Sequence, residues 1–496
     1  MATAVALVVT RRGAYLSPDG LAYVGTARGL VDGLGYTSPP GSPPVGNFPP
    51  LYSLVLAGVG AFGPDPLTAA RFVNPVLFGL IVLVVGLVAR RLTGSLALAF
   101  AAQVLVAAGV DFLAYATSAL SEPLFLLLSM LALAAVGAFL ARRRPAFLLA
   151  AALLAAAACL TRYVAVAAVA AGAAGLVLLS PGPRRAWRSG FAFAAVAVAP
   201  LLGWFSWVQS REGRATNREA VFHAPGADYV VDALRNASTW VATDWLSWPA
   251  RGVVAAVVVA ALAFFTRRAG GANANPRPAP PPSRRPAALA ALAALAVAAY
   301  LGALVVDRFL FDVTGRLDDR FLLPVHAGAV VLGVWAVRGV DLARSHAVRL
   351  GLSAIVGLQV ANGALWVWDA VDDPASRPGG FTAPAWTASE VIDQVRALPE
   401  GATVFTNQPD ALWFHTGRAA ASIPEERALL TGEENEDFEA ELVAMADAMS
   451  RGGVLVYFTA TPSRSVFLPT PAELERALPL QRAVADEVAV AYVLRR

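Results

Sequence analysis

The sequence contains no lysine: all 39 of its basic residues are arginine, set against 35 acidic ones. A net charge of +4 made this way does not point to a nucleic-acid partner, and where the arginines fall says more than their sum. Cysteine is almost absent. Cys159, alone in the apolar run LLAAAACLTRY, excludes an internal disulfide and any multi-cysteine metal site. The four histidines, His223, His326, His346 and His415, are dispersed without HExxH or paired spacing, so no metal ligand is assigned. Charged residues make up only 15% of the chain against 57% hydrophobic, and mean hydropathy is +0.59. Such a composition excludes an ordinary soluble protein and identifies an integral membrane protein. No cleavable signal peptide is recognisable, so the first apolar segment reads as an anchor.

Crossing the hydrocarbon as a helix takes about 20 apolar residues. Eleven segments are read as spans, several of them short: 1–16, 68–90, 94–112, 119–140, 146–160, 163–180, 189–208, 250–266, 287–306, 321–338 and 349–369. PPLYSLVLAGVGAFGP, residues 49–64, is bracketed by prolines and reads as an interfacial or re-entrant helix. MATAVALVV supplies only nine apolar residues before Thr10 and Arg11, about 14 Å of helix against a core of roughly 30 Å, so an upstream extension of the natural chain is expected.

Every second connection is arginine-rich: Arg90 and Arg91, Arg142 to Arg144, Arg184 to Arg188, Arg267 to Arg285, then Arg338 to Arg349. The positive-inside rule makes these cytoplasmic, with the N-terminus inside and the C-terminus outside. ANANPRPAPPPSRRP, residues 272–286, then reads as a disordered cytoplasmic linker. After Trp368 hydropathy drops. TASEVIDQVRAL opens with a capping box of Thr387 and Glu390, ATVFTN and GVLVYFTA read as strands, and FEAELVAMADAMSRGG and TPAELERAL as helices. VADEVAVAYVL reads as a last strand. The division expected is 1–370 for the membrane domain and 371–496 for an extracytoplasmic α/β domain, which lacks a phosphate loop or nucleophile elbow and is given a supporting role.

Ionisable residues beside a membrane are expensive, so those facing outward are candidates for function. In SPDGLAYVGTARGL, Ser17 suits a helix cap, Pro18 the first helical position and Asp19 the first turn; capping and catalysis explain Asp19 equally well. Tyr23 lies four residues on, on the same helical face. Glu122 opens the fourth span in SALSEPLFLLLSM, where a first-turn acid with Ser121 as cap is again sufficient explanation. Arg162 in CLTRYVAV and Arg320 in LDDRFLLP are the arginines best placed for a phosphate, whose oxygens a planar guanidinium binds in pairs. For Arg308 and Arg316 local salt bridges with Asp307, Asp312, Asp318 and Asp319 are the preferred reading. The tryptophans of STWVATDWLSWP could stack on a sugar, although an interfacial aromatic belt is the commoner reason for them.

In this order the pieces resemble the GT-C membrane glycosyltransferases, especially the branch of protein mannosyltransferases and the bacterial aminoarabinose transferase. The likeness runs over roughly residues 10–370: the acid and Tyr of DGLAYVGTARGL, the proline-led NFPPLYSLVLAG, Arg71 in LTAARFVNPVLFGLIV, the acid of SEPLFLLLSMLAL, the cation of LTRYVAV, and the Arg with Pro of DRFLLPVHAG. The resemblance implies a mainly α polytopic bundle of about eleven spans carrying an extracytoplasmic α/β domain. It implies transfer of a sugar from a polyprenyl-phosphate donor to a glycan, lipid or protein acceptor in a multi-pass cell-membrane protein, usually with inversion. Asp19 then matches the catalytic base and Glu122 the second acid. Tyr23, Arg71, Arg162 and Arg320 fall at substrate-binding positions. No cofactor is required by this reading, and a divalent metal stays open. The rival classes are a transporter or flippase of lipid-linked sugars, which would show repeats or mid-membrane polar residues, and a sensor whose working part is the tail.

Overall fold

The computed structural model describes residues 1–37, 46–213, 215–216, 220–222, 224, 226–243, 246–271, 284–311, 317–339, 345–372, 379–427, 433–460 and 467–495. Most of the expected linker 272–286, together with His223, Asp312 and Arg316, lies outside the described residues.

Each of the eleven apolar segments contains a helix: Ala2–Val9, Pro66–Thr93, Leu96–Ala108, Glu122–Arg142, Pro145–Cys159, Val166–Leu179, Pro183–Glu212, Trp248–Gly271, Arg284–Leu310, Asp319–Ala336 and His346–Asp372. The ends follow local chemistry. Pro66–Thr93, for example, starts where the Asp65 carboxylate accepts from the Leu67 amide at 2.9 Å and stops at Gly94, whose φ of 70° needs no Cβ. Among the described residues six helices are long and apolar enough to cross a membrane, and a seventh arises if Leu96–Ala108 and Val110–Ala116, bent by 59°, form one span. The expected count of eleven is therefore not reached on length and composition. Ala2–Val9 has 8 residues, Val166–Leu179 has 14 and Pro145–Cys159 has 15, about 12 to 23 Å of helix against a hydrocarbon core of roughly 30 Å. Between the prolines of 49–64 stands the short helix Leu51–Gly60.

The tail forms a five-stranded sheet, β1 Val404–Thr406, β2 Ala421–Ser422, β3 Val454–Phe458, β4 Leu480–Ala485 and β5 Ala489–Leu494, in the order β2-β1-β3-β5-β4. The pairs β1–β2 and β1–β3 are parallel, and β3–β5 and β4–β5 antiparallel. β3 is buried on both faces, as its unbroken apolar run requires. Leu455 and Tyr457 pack under the helix Phe438–Ser450, while Val456 and Phe458 join a core shared with Leu21, Val24 and Tyr52 of the N-terminal helices.

Two details of the tail correct the sequence reading. Ser389, not Thr387, caps the helix Glu390–Ala397, accepting from the Ile392 amide at 3.2 Å, and Thr387 ends a separate short helix. The expected last strand is a hairpin whose turn is made by Asp486, its Oδ1 accepting from the amides of Val488 and Ala489 at 2.8 and 2.9 Å.

Tail and bundle are also joined by a narrow backbone ladder. Tyr15 donates its amide to the Thr117 carbonyl at 3.0 Å and accepts from Ala119 at 2.9 Å; on the other side Leu16 donates to Gly379 at 3.1 Å and accepts from Phe381 at 2.9 Å. Residues 15–16 are thus gripped between the turn before Glu122 and the start of the tail, one residue ahead of the helix that carries Asp19. Gly380 permits the approach: its φ is +65°, and a Cβ there would run into the Leu16 backbone.

Candidate active site

The helix Pro18–Val31 begins as its sequence predicts. Ser17 is the cap, its hydroxyl accepting from the Gly20 amide at 3.1 Å, Pro18 opens the helix, and Asp19 stands in the first turn. Capping is therefore done by Ser17, and the Asp19 carboxylate is available for something else. Gly20 lets this turn lie against Ala119; a Cβ would sit 3.1 Å from the Ala119 carbonyl oxygen.

Asp19 turns to Arg320, whose Nη1 lies 2.6 Å from Oδ2. The same guanidinium donates through Nε to Oε1 of Glu122. A second guanidinium, that of Arg162, reaches the same Oε1 at 2.5 Å. Four residues far apart in sequence thus form one chain of alternating charge, Asp19–Arg320–Glu122–Arg162. Glu122 is its centre. With its side chain only 3% exposed, the carboxylate has lost its water, and an unpaired charge there would be very costly; the two guanidiniums replace the solvent. Asp19, at 31% side-chain exposure, is the most accessible of the four, ahead of Arg320 at 19% and Arg162 at 15%.

Local structure explains how each group arrives. Glu122 is the first residue of Glu122–Arg142, followed by Pro123. Ser121 precedes it but does not cap through its side chain, contrary to the sequence reading: its hydroxyl is shared with Tyr23 Oη at 2.9 Å and accepts from Arg162 Nη1 at 3.4 Å. Arg162 has extended backbone in the tight turn between Pro145–Cys159 and the 3-10 turn Tyr163–Ala165. Arg320 is the second residue of Asp319–Ala336, capped by Asp318, which accepts from the Phe321 amide at 3.2 Å. Pro324, four residues on, cannot donate to the Arg320 carbonyl.

Tyr23 is not aligned with Asp19 toward an open space. It is buried, with Phe48 and Tyr52 against its ring at 4.7 and 5.1 Å, and burial holds its phenol protonated far above the ordinary range. Through Ser121 it braces the start of the Glu122 helix. Arg71 is not drawn into the cluster: its guanidinium lies 5.1 Å from the Phe72 ring, and among the described residues no ion pair joins it to Asp19 or Glu122. Nor do the described residues place three His, Cys, Asp or Glu side chains together as a metal site. Arg308 lies over Tyr229 at 5.7 Å.

Sequence reasoning passed over Asn74. It is fully buried in a membrane-crossing helix, accepts from Tyr52 Oη at 3.2 Å, and donates to the carbonyls of Ser118 and Leu120 at 2.5 and 2.9 Å, fixing the turn that delivers Glu122. An asparagine inside the apolar run RFVNPVLF is the signal that marked it. The tryptophans of 238–249 divide: Trp248 is half exposed, as a belt residue would be, whereas Trp240 turns inward and stacks on His326 at 4.6 Å.

Residues 41–199 match the family model described as Dolichyl-phosphate-mannose-protein mannosyltransferase, a stretch that includes Arg71, Glu122 and Arg162 but not Asp19 or Arg320. No curated protein matches the sequence. Among solved structures, ArnT from Cupriavidus metallidurans bound to undecaprenyl phosphate is similar at a TM-score of 0.63 and 13% identity, over 99% of this chain and 96% of that one. ArnT in the apo state gives 0.60 and 15%, over 99% and 95%. The arabinofuranosyltransferase AftD from Mycobacteria gives 0.54 and 15%, over 99% of this chain and 41% of AftD. The chain is a multi-pass membrane protein with the GT-C fold of polyprenyl-phosphate-dependent glycosyltransferases, and its residues 41–199 match the protein mannosyltransferase family.

Proposed function

We propose that this chain transfers a sugar, hexosyl or pentosyl, from a polyprenyl-phosphate donor to an acceptor hydroxyl with inversion, at the Asp19–Arg320–Glu122–Arg162 cluster. The observation that carries the reading is that one guanidinium, Arg320, holds both carboxylates while a second, Arg162, shares Glu122. A phosphate leaving group needs charge stabilisation more than protonation, and an acceptor hydroxyl needs a base. The described ion pairs engage Nε and Nη1 of Arg320 and Nη1 of Arg162, so the Nη2 groups remain to bind phosphate oxygens. Glu122, buried between the two, is their counter-ion and orients them. Asp19 takes the proton of the acceptor hydroxyl, whose oxygen attacks the anomeric carbon. The bond from that carbon to the phosphate oxygen breaks, the polyprenyl phosphate departs, and the proton passes from Asp19 to solvent. Tyr23 positions Ser121 and so the Glu122 helix. Residues 1–370 perform the transfer and 371–496 support it.

The test is to incubate purified protein in lipid with a panel of radiolabelled polyprenyl-phosphate sugars. Wild type consumes at least one donor, and Asp19→Asn lowers turnover about a hundredfold or more while thermal stability is kept, because the cap belongs to Ser17. Near-normal turnover in a folded Asp19→Asn protein removes Asp19 as the base, and no consumption of any donor removes the reading itself. The site and the tail are placed on the extracytoplasmic face, supported by the arginine-rich alternate loops. Reporter fusions after Ser180 and Arg496 should report inside and outside; the same side for both contradicts this orientation.

A further inference from the structure

A polar cavity of about 210 Å³, lined by none of the four residues of the carboxylate cluster, plays no part in the chemistry above. Its lining includes Asp111, Asn236, Trp240, Asp319, His326 and Gln359. The helix Asp319–Ala336 separates it from the proposed reaction centre: Arg320 faces Asp19 and Glu122, while its neighbour Asp319 lines the cavity. His326 is seven residues further along the same helix, about 10 Å deeper.

Polar side chains in this position are expensive, and the chain has placed several here at high burial. Asp111, His326 and Gln359 are 7%, 4% and 3% exposed. Part of that cost is met internally. His326 Nδ1 lies 3.3 Å from Asp111 Oδ2, and the Gln359 amide donates to the carbonyls of Thr239 and Trp240 at 3.1 and 2.8 Å. Asn236 donates to the Leu317 carbonyl at 2.6 Å. A purely structural network would close there. Instead the Trp240 indole N–H, buried, has no hydrogen-bond partner, the amide oxygens of Asn236 and Gln359 are not used by these bonds, and open volume remains beside them. The backbone holding Trp240 is pinned by Gln359, and its ring is fixed flat on His326, with interplanar angle 11°, which in turn packs on Phe112. This is a preorganised wall of donors and acceptors with an aromatic edge, and a volume suited to a single ring.

We infer that this cavity is a saccharide subsite, in which one monosaccharide ring of a substrate is held by the Trp240 N–H, the Asp111 carboxylate and the amide oxygens of Asn236 and Gln359. The inference rests on the transferase reading and extends it, since it assigns sugar recognition to residues apart from those that hold phosphate and move the proton. The ring belongs either to the donor or to a glycan acceptor, and both present the same hydroxyl pattern to the wall.

The test is binding rather than turnover. A panel of methyl pyranosides and furanosides is added to the full chain in lipid nanodiscs, and saturation transfer from protein to glycoside is followed by NMR. At least one glycoside gives a signal whose affinity falls tenfold or more in Trp240→Phe, which keeps an aromatic ring against His326 but removes the N–H together with part of the indole, and in Asp111→Asn and Asn236→Ala, which leave the indole in place. The same signal persists in Asp19→Asn, so loss of transfer and loss of sugar binding are read separately. Displacement of the glycoside by a polyprenyl-phosphate sugar assigns the subsite to the donor; undiminished binding beside it assigns the acceptor. Equal binding in wild type and in folded Trp240→Phe protein overturns the subsite, as does the absence of any glycoside signal while donor consumption is intact. Should Asp111→Asn fail to fold, Trp240→Phe and Asn236→Ala decide alone.

Discussion

Nη1 of Arg320 stands 2.6 Å from Oδ2 of Asp19, and Nε of the same guanidinium is committed to Glu122. The two donors diverge from one rigid plane, so a single side chain sets the separation between an accessible carboxylate and a buried one. Lysine could keep the charge but not the fork. Arg320→Lys is therefore expected to lower kcat/KM tenfold to a hundredfold, by a loosened Asp19 as much as by a weaker hold on phosphate. Arg162→Lys touches only the Glu122 arm and Ser121 and should cost less. Steady-state kinetics of both variants check the ranking; equal, unchanged rates would make these pairs structural.

The ladder through residues 15–16 ties the tail to the framework of the candidate site. Gly380 has φ of +65° and lies against the Leu16 backbone, so Gly380→Ala adds both left-handed strain and a clash. The expected cost is about 1–3 kcal/mol, with faster amide exchange at Leu16 and Phe381 and a lower kcat, because Asp19 follows three residues after Leu16. Exchange mass spectrometry on the whole chain reads the first effect. Wild-type exchange and stability in this variant would show that the tail merely rests on the bundle.

Much of this could be read from the sequence, and the reason is physical. Asp19, Glu122, Arg162 and Arg320 stand out because a charge at the edge of an apolar span has to be explained. The ladder does not stand out: one or two residues per strand leave no periodicity. The Asp486 turn is not legible locally because VADEVAV has no glycine or Asn-Gly pair, the bend being made by a side-chain carboxylate on two amides. Ser389 won over Thr387 as cap because Asp486 Oδ2 also accepts from the Ser389 hydroxyl and the Val391 amide, a tertiary contact no local pattern encodes. Frequency favours a belt over sugar stacking for Trp240, and only packing against His326 shows it turned inward.

His415 gives the tail a pH dependence with a definite sign. Burial, aided by the nearby Arg396 and Arg28 cations, pushes its imidazole down from 6.5 to about 4, although Nε2 donates to the Phe381 carbonyl at 2.9 Å. The folded tail favours the neutral ring. Its contribution to stability is thus complete above pH 6.5 and is lost as pH falls from 6.5 toward 4, on the order of 2 kcal/mol for a group that stays partly exposed. His415→Gln, which keeps a donor for Phe381 but cannot titrate, should flatten the profile in that window. Thermal unfolding of both proteins between pH 7 and 4 measures it, and parallel profiles would assign the acid sensitivity to other groups such as Asp486.

Asn74 offers the sharpest separation of support from chemistry. Its amide donates to two carbonyls of the turn before Glu122 and its oxygen accepts from Tyr52, all of it buried and none of it at the carboxylates. Asn74→Leu keeps the branched shape, with somewhat greater bulk, but leaves two carbonyls and a phenol without partners in a dry interior, where each such loss costs about 1–3 kcal/mol. A total of about 2–4 kcal/mol is expected, since partial rearrangement recovers some of it. The Ser118–Leu120 turn also carries the Tyr15 and Ala119 hydrogen bonds, so the loosened turn should spread to both carboxylates. Turnover should then fall at least tenfold, while donor KM changes little because the guanidiniums remain. A protein that loses stability but keeps kcat would show that the ion-pair chain holds Glu122 and Asp19 in register without the turn.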